Sequence, residues 1–511
     1  MTKRQAGNDN ERKRASKVSA EPRMERVPRG KGNAGAGRAR QADFVVIGGG
    51  SAGVAAAMRA ASHGASVILV EREQIGGTCV NRGCIPKKML HYGATWAAIL
   101  SGCLSHTGGR EDWNDAIVRV KAEMARLHAS YTQRLQEAGV QVLRGEAMVT
   151  APGEVRVGGD TLQARRILIA TGSRPAPLPV PGGELASTSD DVFQWNGVPA
   201  SLVVIGGGYI AVEMASILSR YGVKVDMLVR ESRLLENFDE DIALALAEAL
   251  TAKGVRLHLN TDVTLLDQAN GAIEVCYRQV EEGAISGSGS SGSSSGSGSG
   301  GNGGKNGKGR ERIHSVRAQA ALAAIGREPN LDGLGLEALG VARGQRGLRV
   351  DRQFRTSVRG IHAIGDVTEG PQLTPVATAQ GRWLADRLFG RRGERADFDV
   401  IPTAVFCEPA IGSVGLTEAA AIEAAGKPER IGTRIKRFVS LENRFAGNTM
   451  PSVMKVVYNA RSGRVLGVHL LDNAAPEIAQ SIAVALRLGV RLSHLETTMQ
   501  LHPTVAEELF G

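Results

Sequence analysis

The chain is short of cysteine and of aromatic residues and has no long apolar run, and each shortage excludes something. No stretch of about 18 or more apolar residues occurs, so no membrane-spanning helix is expected. The first residues lack the apolar segment of a secretory signal. Asp9, Glu11, Glu21 and Glu25 argue against a transit peptide, which leaves a cytoplasmic address as the expectation. Aromatics make up 4% of the chain and no helical pattern carries a basic stripe, so a nucleic-acid surface has little to stack bases on. Only five cysteines are present, at 79, 84, 103, 276 and 407, and none forms a CxxC. Intracellular thiols stay reduced, so the one close pair, Cys79 and Cys84, points to catalysis or half a metal site rather than to a structural staple. The other ligands of such a metal site are missing, and no metal is expected.

What is present is a 511-residue chain, 42% hydrophobic, long enough for about two to four domains. Its net charge of +10 is mostly local: residues 1 to 41 hold twelve Lys/Arg against four Asp/Glu, a balance of +8, so the rest carries only about +2. Residues 1 to 41 read as a solvated, disordered basic arm, with weak binding to an anionic surface as the alternative. Residues 286 to 309 are Gly/Ser-rich and cannot bury a core. They lie between strand-like runs at Ala272 to Tyr277 and Gln319 to Ile325, which predicts an enlarged surface loop, cheap in closure entropy, rather than a domain boundary.

An internal repeat organises the rest. Val45-Val46-Ile47-Gly48-Gly49-Gly50 returns 158 positions later as Val203-Val204-Ile205-Gly206-Gly207-Gly208. Each copy is a β-branched strand, a Gly-rich turn and an Ala-rich helical stretch, the context a dinucleotide fingerprint requires. In the first copy, Gly48-x-Gly50-x-x-Gly53 lets backbone approach a pyrophosphate at a helix N-terminus. Glu71, at the end of the strand Ser66 to Val70, is placed to accept a ribose hydroxyl. In the second copy, Gly206-x-Gly208-x-x-Ala211, the acidic position at the strand end is Val229 followed by Arg230. An arginine there pairs with a 2′-phosphate, which favours NADPH over NADH. The last hundred residues alternate strand-like runs (Val453 to Tyr458, Val465 to Leu471) with an apolar helix (Ala475 to Leu488), a separate α+β layer.

Between the two copies lies Gly76-Gly77-Thr78-Cys79-Val80-Asn81-Arg82-Gly83-Cys84-Ile85-Pro86-Lys87-Lys88. Five residues of regular helix separate two cysteines by about 7.5 Å of rise, beyond the roughly 4.4 to 6.8 Å between Cα atoms in a disulfide. The segment is therefore expected to bend before its helix begins, with Gly83 supplying the freedom and Cys84 at the helix head, where the dipole favours a thiolate.

These motifs, with Ala170-Thr171-Gly172, Ala324-Ile325-Gly326-Arg327, Ala363-Ile364-Gly365-Asp366 and the C-terminal His502-Pro503-Thr504, resemble the dimeric pyridine nucleotide-disulfide oxidoreductases, a flavoprotein family. The match runs from about residue 42 to 511 and breaks only at the Gly/Ser tract. Lys87-Lys88, Tyr209-Ile210-Ala211 and Leu373-Thr374-Pro375-Val376-Ala377 resemble the glutathione-reducing members most closely. The resemblance implies an α/β fold with two Rossmann-like dinucleotide-binding domains, for FAD and NADPH, and a C-terminal α+β dimerisation domain. On this reading 42–172 bind FAD, 173–327 bind NADPH, 328–399 complete the FAD domain and 400–511 form the interface of a homodimer.

It also implies roles. Cys84 faces the flavin and Cys79 attacks the substrate disulfide. His502, delivered by the other subunit and oriented by Glu507, is the acid and base of exchange. Lys87 and Glu213 form an ion pair beside the flavin. Asp366 holds the ribityl chain and Thr374 sits by the ring, with Ser51, Thr78, Thr171 and Gly172 also on FAD. Tyr209 covers the nicotinamide pocket, with Ile210, Gly326 and Arg327 on the NADPH side. Tyr131 and Arg382 match glutathione contacts.

Three positions depart from the pattern. Met58 falls where some members place a polar or basic group against a substrate carboxylate. Glu236 occupies the second phosphate-binding position, for which Arg233 is the candidate substitute. Arg82, between the cysteines, attracts an anionic peptide substrate or is merely solvated. A dihydrolipoamide dehydrogenase is expected to carry Ser-Lys after the proline and an acid at 230. Mercuric-ion reductases, and thioredoxin reductases with a C-terminal shuttle, are expected to end in cysteines rather than Glu507-Glu508-Leu509-Phe510-Gly511. A non-catalytic binding protein that works through its basic arm remains the reading from another class.

Overall fold

The computed structural model describes residues 40–103, 110–279, 312–390 and 398–510. The basic arm up to residue 39 and the Gly/Ser tract at 286–309 lie outside them. The first strand, β1 (Arg40–Ile47), pairs in parallel with β2 (Val67–Glu71) on one side and with Asp160–Ile169 on the other. Each face of this strand is covered by its own apolar cluster, Val45 and Ile47 in one and Phe44 and Val46 in the other, which is why its apolar residues run together. Gln141–Arg144 extends this sheet beyond β2, and Glu154–Val157 and Ala147–Ala151 extend it beyond Asp160–Ile169. The chain returns here after the second unit, since Ile361–Ala363 pairs in parallel with Asp160–Ile169.

β1 runs through the Gly-rich turn into helix α1 (Ser51–Ser62). A Cβ on Gly53 would lie 1.9 Å from the Gly48 carbonyl oxygen, so the third fingerprint glycine is demanded by contact between helix and turn. The second copy repeats the pattern: Ser201–Ile205 pairs in parallel with Lys224–Leu228 and Ala320–Ala323, and it feeds the helix Tyr209–Arg220. The strand expected over Gln319 to Ile325 is shorter than its apolar run. A further strand, Arg312–Ala318, was not read from the sequence. It pairs antiparallel with Ala272–Gln279, so Gln279 and Arg312 face each other across the two ends of the Gly/Ser insertion.

The C-terminal layer is antiparallel, in the order Thr403–Val405, Ile411–Gly415, Val465–Leu471, Ser452–Asn459, Ile431–Phe438, with the helix Ala475–Arg487 beside it. The expected strands and helix of this layer are present to within a residue or so. One apolar cluster crosses the units: it includes Leu90 and Trp113, Val204 and Leu218, and Val405, Val453 and Leu471. The helix that carries Cys84 is therefore packed against both later units.

A buried charge also crosses them. Lys455, 1% exposed, reaches Asp239 (2.9 Å) and Asp241 (2.6 Å) at the head of the helix Glu240–Ala252, and Glu418 (2.7 Å). Burial alone would lower the lysine's proton affinity, but the bonds to Asp241, Glu418 and Asp239 raise it above its ordinary value. Lys455→Met leaves three carboxylates around an apolar side chain and is expected to destabilise the protein by about 3 kcal/mol. That is the lower end of the range for a broken buried pair, because Asp241 and Glu418 reach solvent. Urea unfolding of the two proteins side by side measures the difference.

Candidate active site

The segment after β2 bends as the cysteine spacing requires. Helix α2 (Gly77–Asn81) ends, Arg82 takes φ −157° and ψ 27°, and helix α3 (Cys84–Cys103) begins at the second cysteine. The part played by Gly83 differs from the expectation. It is not in the left-handed region; instead a Cβ there would lie 2.8 Å from the Thr78 carbonyl oxygen, so Gly83 is needed for close approach. The left-handed residues of the turn are Gly76 (φ 114°) and Gly77 (φ 59°). Arg82 pairs with Glu73 and, at 3.6 Å, with Asp190.

A cavity of about 460 Å³ opens where these elements meet. Its walls include Gly48, Gly50 and Ser51 of the first turn, Glu71, Thr78, both cysteines and Lys87. Thr171, Gly172, Tyr209, Ile210 and Glu213, then Asp366, Thr374 and Phe406, complete it. The two sulfurs lie within hydrogen-bonding reach of each other, and Cys84 Sγ is 3.7 Å from Thr374 Oγ1. Both cysteines are free thiols. They titrate in opposite directions. The hydrogen bond from Cys79 brings Cys84 down to about 6 against the cost of burial, helped by Thr374 and the Lys87 charge. The bond to Cys84 and burial hold the Cys79 thiol far above its ordinary value. Both effects make Cys84 the more acidic of the two thiols.

Lys87 Nζ donates to Glu213 Oε1 at 2.5 Å, and both side chains are almost fully buried. Glu71 grips the turn rather than standing free: Oε2 accepts from Gly49 N at 2.6 Å and Oε1 from Glu73 N at 2.7 Å. Ser173 Oγ donates to Asp366 Oδ2 at 3.1 Å, and burial raises the Asp366 carboxyl above its usual range.

The cavity suits a ligand with a pyrophosphate and hydrogen-bond donors. A Cβ on Gly77 would lie 2.6 Å from Gly50 Cα, so the turn meets α2 closely enough to require glycine at 77. The helix α1 opens on Gly50 with no side chain capping its N–H groups, which suits a pyrophosphate. Asn330 Oδ1 is buried, faces no partner among the described residues, and belongs to a cavity-lining residue, an acceptor that calls for a donor on the ligand.

Residues 42–381 match the family model described as pyridine nucleotide-disulphide oxidoreductase, and 401–510 match the dimerisation domain of the same family. The chain belongs to this family. Glutathione reductase of Burkholderia cepacia is 37% identical over 476 residues, covering 91% of this chain and 97% of that protein. Glutathione reductase of Nostoc sp. is 34% identical over 481 residues, 91% and 98% of the two chains. Glutathione reductase of Yarrowia lipolytica is 32% identical over 490 residues, 91% and 98%. The cofactors are accordingly FAD and NADPH, and the chain is a pyridine nucleotide-disulfide reductase with a dimerisation domain. None of its helices among the described residues is long and apolar enough to cross a membrane.

Some of the expected site residues line this cavity and others lie outside it. Arg327, expected on the NADPH side, lines the cavity that holds both cysteines: its guanidinium donates to Ser173 Oγ (2.9 Å) and Ser173 O (2.7 Å). Gly206 and Gly208 form the second turn outside the cavity, and Gly326 likewise lies outside it; only Tyr209 and Ile210 of the second fingerprint reach in. Burial, with the Glu213 charge, pushes the Tyr209 hydroxyl up to about 12. Arg230 is exposed and donates through Nε and a terminal nitrogen to Glu231 Oε1 at 3.1 and 2.9 Å. Arg233, the candidate second phosphate ligand, is instead bonded to the carbonyl oxygens of Leu235, Glu236 and Phe238, because the loop that follows wraps its guanidinium.

The three substrate positions do not line the cavity. Met58 and Tyr131 are half-buried against the same apolar cluster, so Met58 is a packing residue, and Arg382 is exposed on the helix Thr374–Phe389. His502 bonds Glu507 Oε2 through Nδ1 at 2.9 Å with its side chain 80% exposed, and among the described residues none beyond Phe406 lines the cavity. Asn330 and Phe406 were missed from the sequence. Asn330 follows Arg327 by three positions, a spacing that could have flagged it, whereas nothing local marks Phe406.

Proposed function

We propose that the chain reduces oxidised glutathione with NADPH, through Cys79 and Cys84, as a homodimer whose active sites are shared between subunits. The observation that carries this reading is the two cysteines together in the wall of a cavity that also takes in the first Gly-rich turn, Lys87 and Thr374. Residues 42–172 and 328–399 hold FAD, 173–327 hold NADPH and 400–511 pair the subunits, in a cytoplasmic enzyme. The last unit leaves Leu441, Phe445, Val484, Leu488, Met499 and Leu501 exposed, the apolar surface a partner subunit would cover.

Bound FAD supplies a two-electron relay between the nicotinamide and the cysteine pair. The residues do the rest. The turn and α1 hold the pyrophosphate, Glu71 and Asp366 take hydroxyls of the ligand, and Tyr209 keeps water from the nicotinamide side. Cys79 must lose its proton to attack, and His502 of the partner subunit accepts it through the Nε2 left free by Glu507. The Cys79 thiolate forms a bond to one sulfur of the substrate, and the departing glutathione thiolate takes that proton from His502. The Cys84 thiolate then attacks Cys79, releasing the second glutathione and restoring the Cys79–Cys84 bond.

A steady-state panel of oxidised glutathione, lipoamide and other small disulfides, each with NADPH and NADH, tests the reading. Oxidised glutathione with NADPH is expected to give the highest kcat/KM. Arg230→Gln is expected to cut the NADPH-to-NADH ratio by about tenfold, the size of one exposed charge-assisted contact. Lipoamide turning over faster, or equal use of the two nucleotides by the wild type, would refute it.

A further inference from the structure

We propose that Phe406 is the positioning residue of the Lys87–Glu213 pair, holding it against the redox thiols from the C-terminal unit. The proposal rests on the reading of Cys79 and Cys84 as the redox pair. The strand Thr403–Val405 ends beside the cavity, and there the Phe406 N–H donates to Glu213 Oε1 at 2.8 Å, the same oxygen that accepts from Lys87 Nζ. The Phe406 ring centroid is 4.6 Å from Lys87 Nζ and 4.5 Å from Lys88 Nζ.

A buried ion pair loses its hydration and survives only where other groups take the remaining donors and acceptors. One residue does both here. Its amide satisfies the carboxylate, and the electron-rich face of its ring takes the ammonium that the carboxylate leaves partly unmatched. The same ring meets Lys88, which also faces the Tyr92 ring at 5.5 Å and Glu477 at 3.9 Å and does not line the cavity. One aromatic thus separates two adjacent lysines, one into the cavity and one out of it.

The position of Lys87 matters because its charge helps to keep Cys84 ionised, while Glu213 opposes it. The other titratable groups that face Cys84 are Cys79 and Tyr209, with Arg327 and Asp366 further along the same cavity. His502 of the partner subunit joins them in the dimer. A backbone N–H is present whatever stands at 406, so the ring is what a substitution removes.

The test uses the FAD-loaded dimer, reduced and then pulsed with iodoacetamide across a pH series, with alkylation at Cys84 resolved by peptide mass. Phe406→Leu is expected to raise the Cys84 midpoint by about half a unit to one unit, the range one cation–π contact commands. Phe406→Tyr, which keeps a ring, is expected to stay at the wild-type midpoint. Phe406→Met carries the same expectation as leucine and replaces it where the leucine variant sheds FAD. An unchanged midpoint in the leucine and methionine variants overturns the proposal alone, as does a tyrosine shift as large as theirs. A wild-type midpoint in the ordinary thiol range overturns the functional reading beneath it.

Discussion

Cys84→Ser is expected to lower disulfide turnover by at least ~10³-fold, the scale on which loss of a covalent participant acts, while NADPH still bleaches the bound FAD. Serine occupies nearly the same volume, so the cavity, the Lys87–Glu213 pair and the bond to Thr374 have no packing reason to change. What is lost is the sulfur that expels the second thiol from Cys79. Without it the enzyme stalls with substrate attached, and the reducing equivalents have no bridge to cross. Stopped-flow absorbance separates the two halves of the reaction, and a steady-state assay gives the loss. Turnover within tenfold of wild type would remove Cys84 from the mechanism.

His502→Ala should slow turnover by about 10² to 10⁴-fold, the usual worth of a positioned acid-base group, again sparing reduction by NADPH. The reason is spatial. His502 stands exposed with Glu507 and lines no part of the cavity that its own chain builds. A sharper result comes from mixing Cys79→Ser and His502→Ala subunits. If each site takes its cysteines from one chain and its histidine from the other, a mixed dimer holds one intact site and one with both lesions. Activity then appears from two inactive parents. If each chain supplies its own histidine, every site carries a lesion and mixing recovers nothing. The Cys79 proton explains why the loss is expected to be large: the bond to Cys84 and burial hold it firmly, so attack waits on a base.

The residues that were legible in sequence are those whose role follows from neighbours along the chain. Gly48, Gly53 and the strand before them are local geometry, and so is the break between Cys79 and Cys84, since no helix of that spacing brings the sulfurs together. The repeat 158 residues apart announced two such units. Reasoning from neighbours failed where a side chain's partner lies in another element. Arg233 is held by the loop that follows it, Met58 packs against the apolar cluster that Tyr131 from a distant helix also meets, and Arg327 swings onto Ser173, 154 residues earlier in the chain. Gly83 was placed correctly for the wrong reason, because the Thr78 carbonyl that crowds it could not be seen.

The amino-acid order alone therefore determined the two nucleotide-binding units, the kink that presents a reactive pair, and the concentration of net positive charge in the first 41 residues. Period, turn chemistry and covalent reach are properties of short stretches. Only the folded chain decided which arginines are left to meet a phosphate, and that Phe406 from the C-terminal layer closes the ion pair beside the thiols. Those outcomes depend on burial and on charges brought together from far apart, which no local pattern encodes.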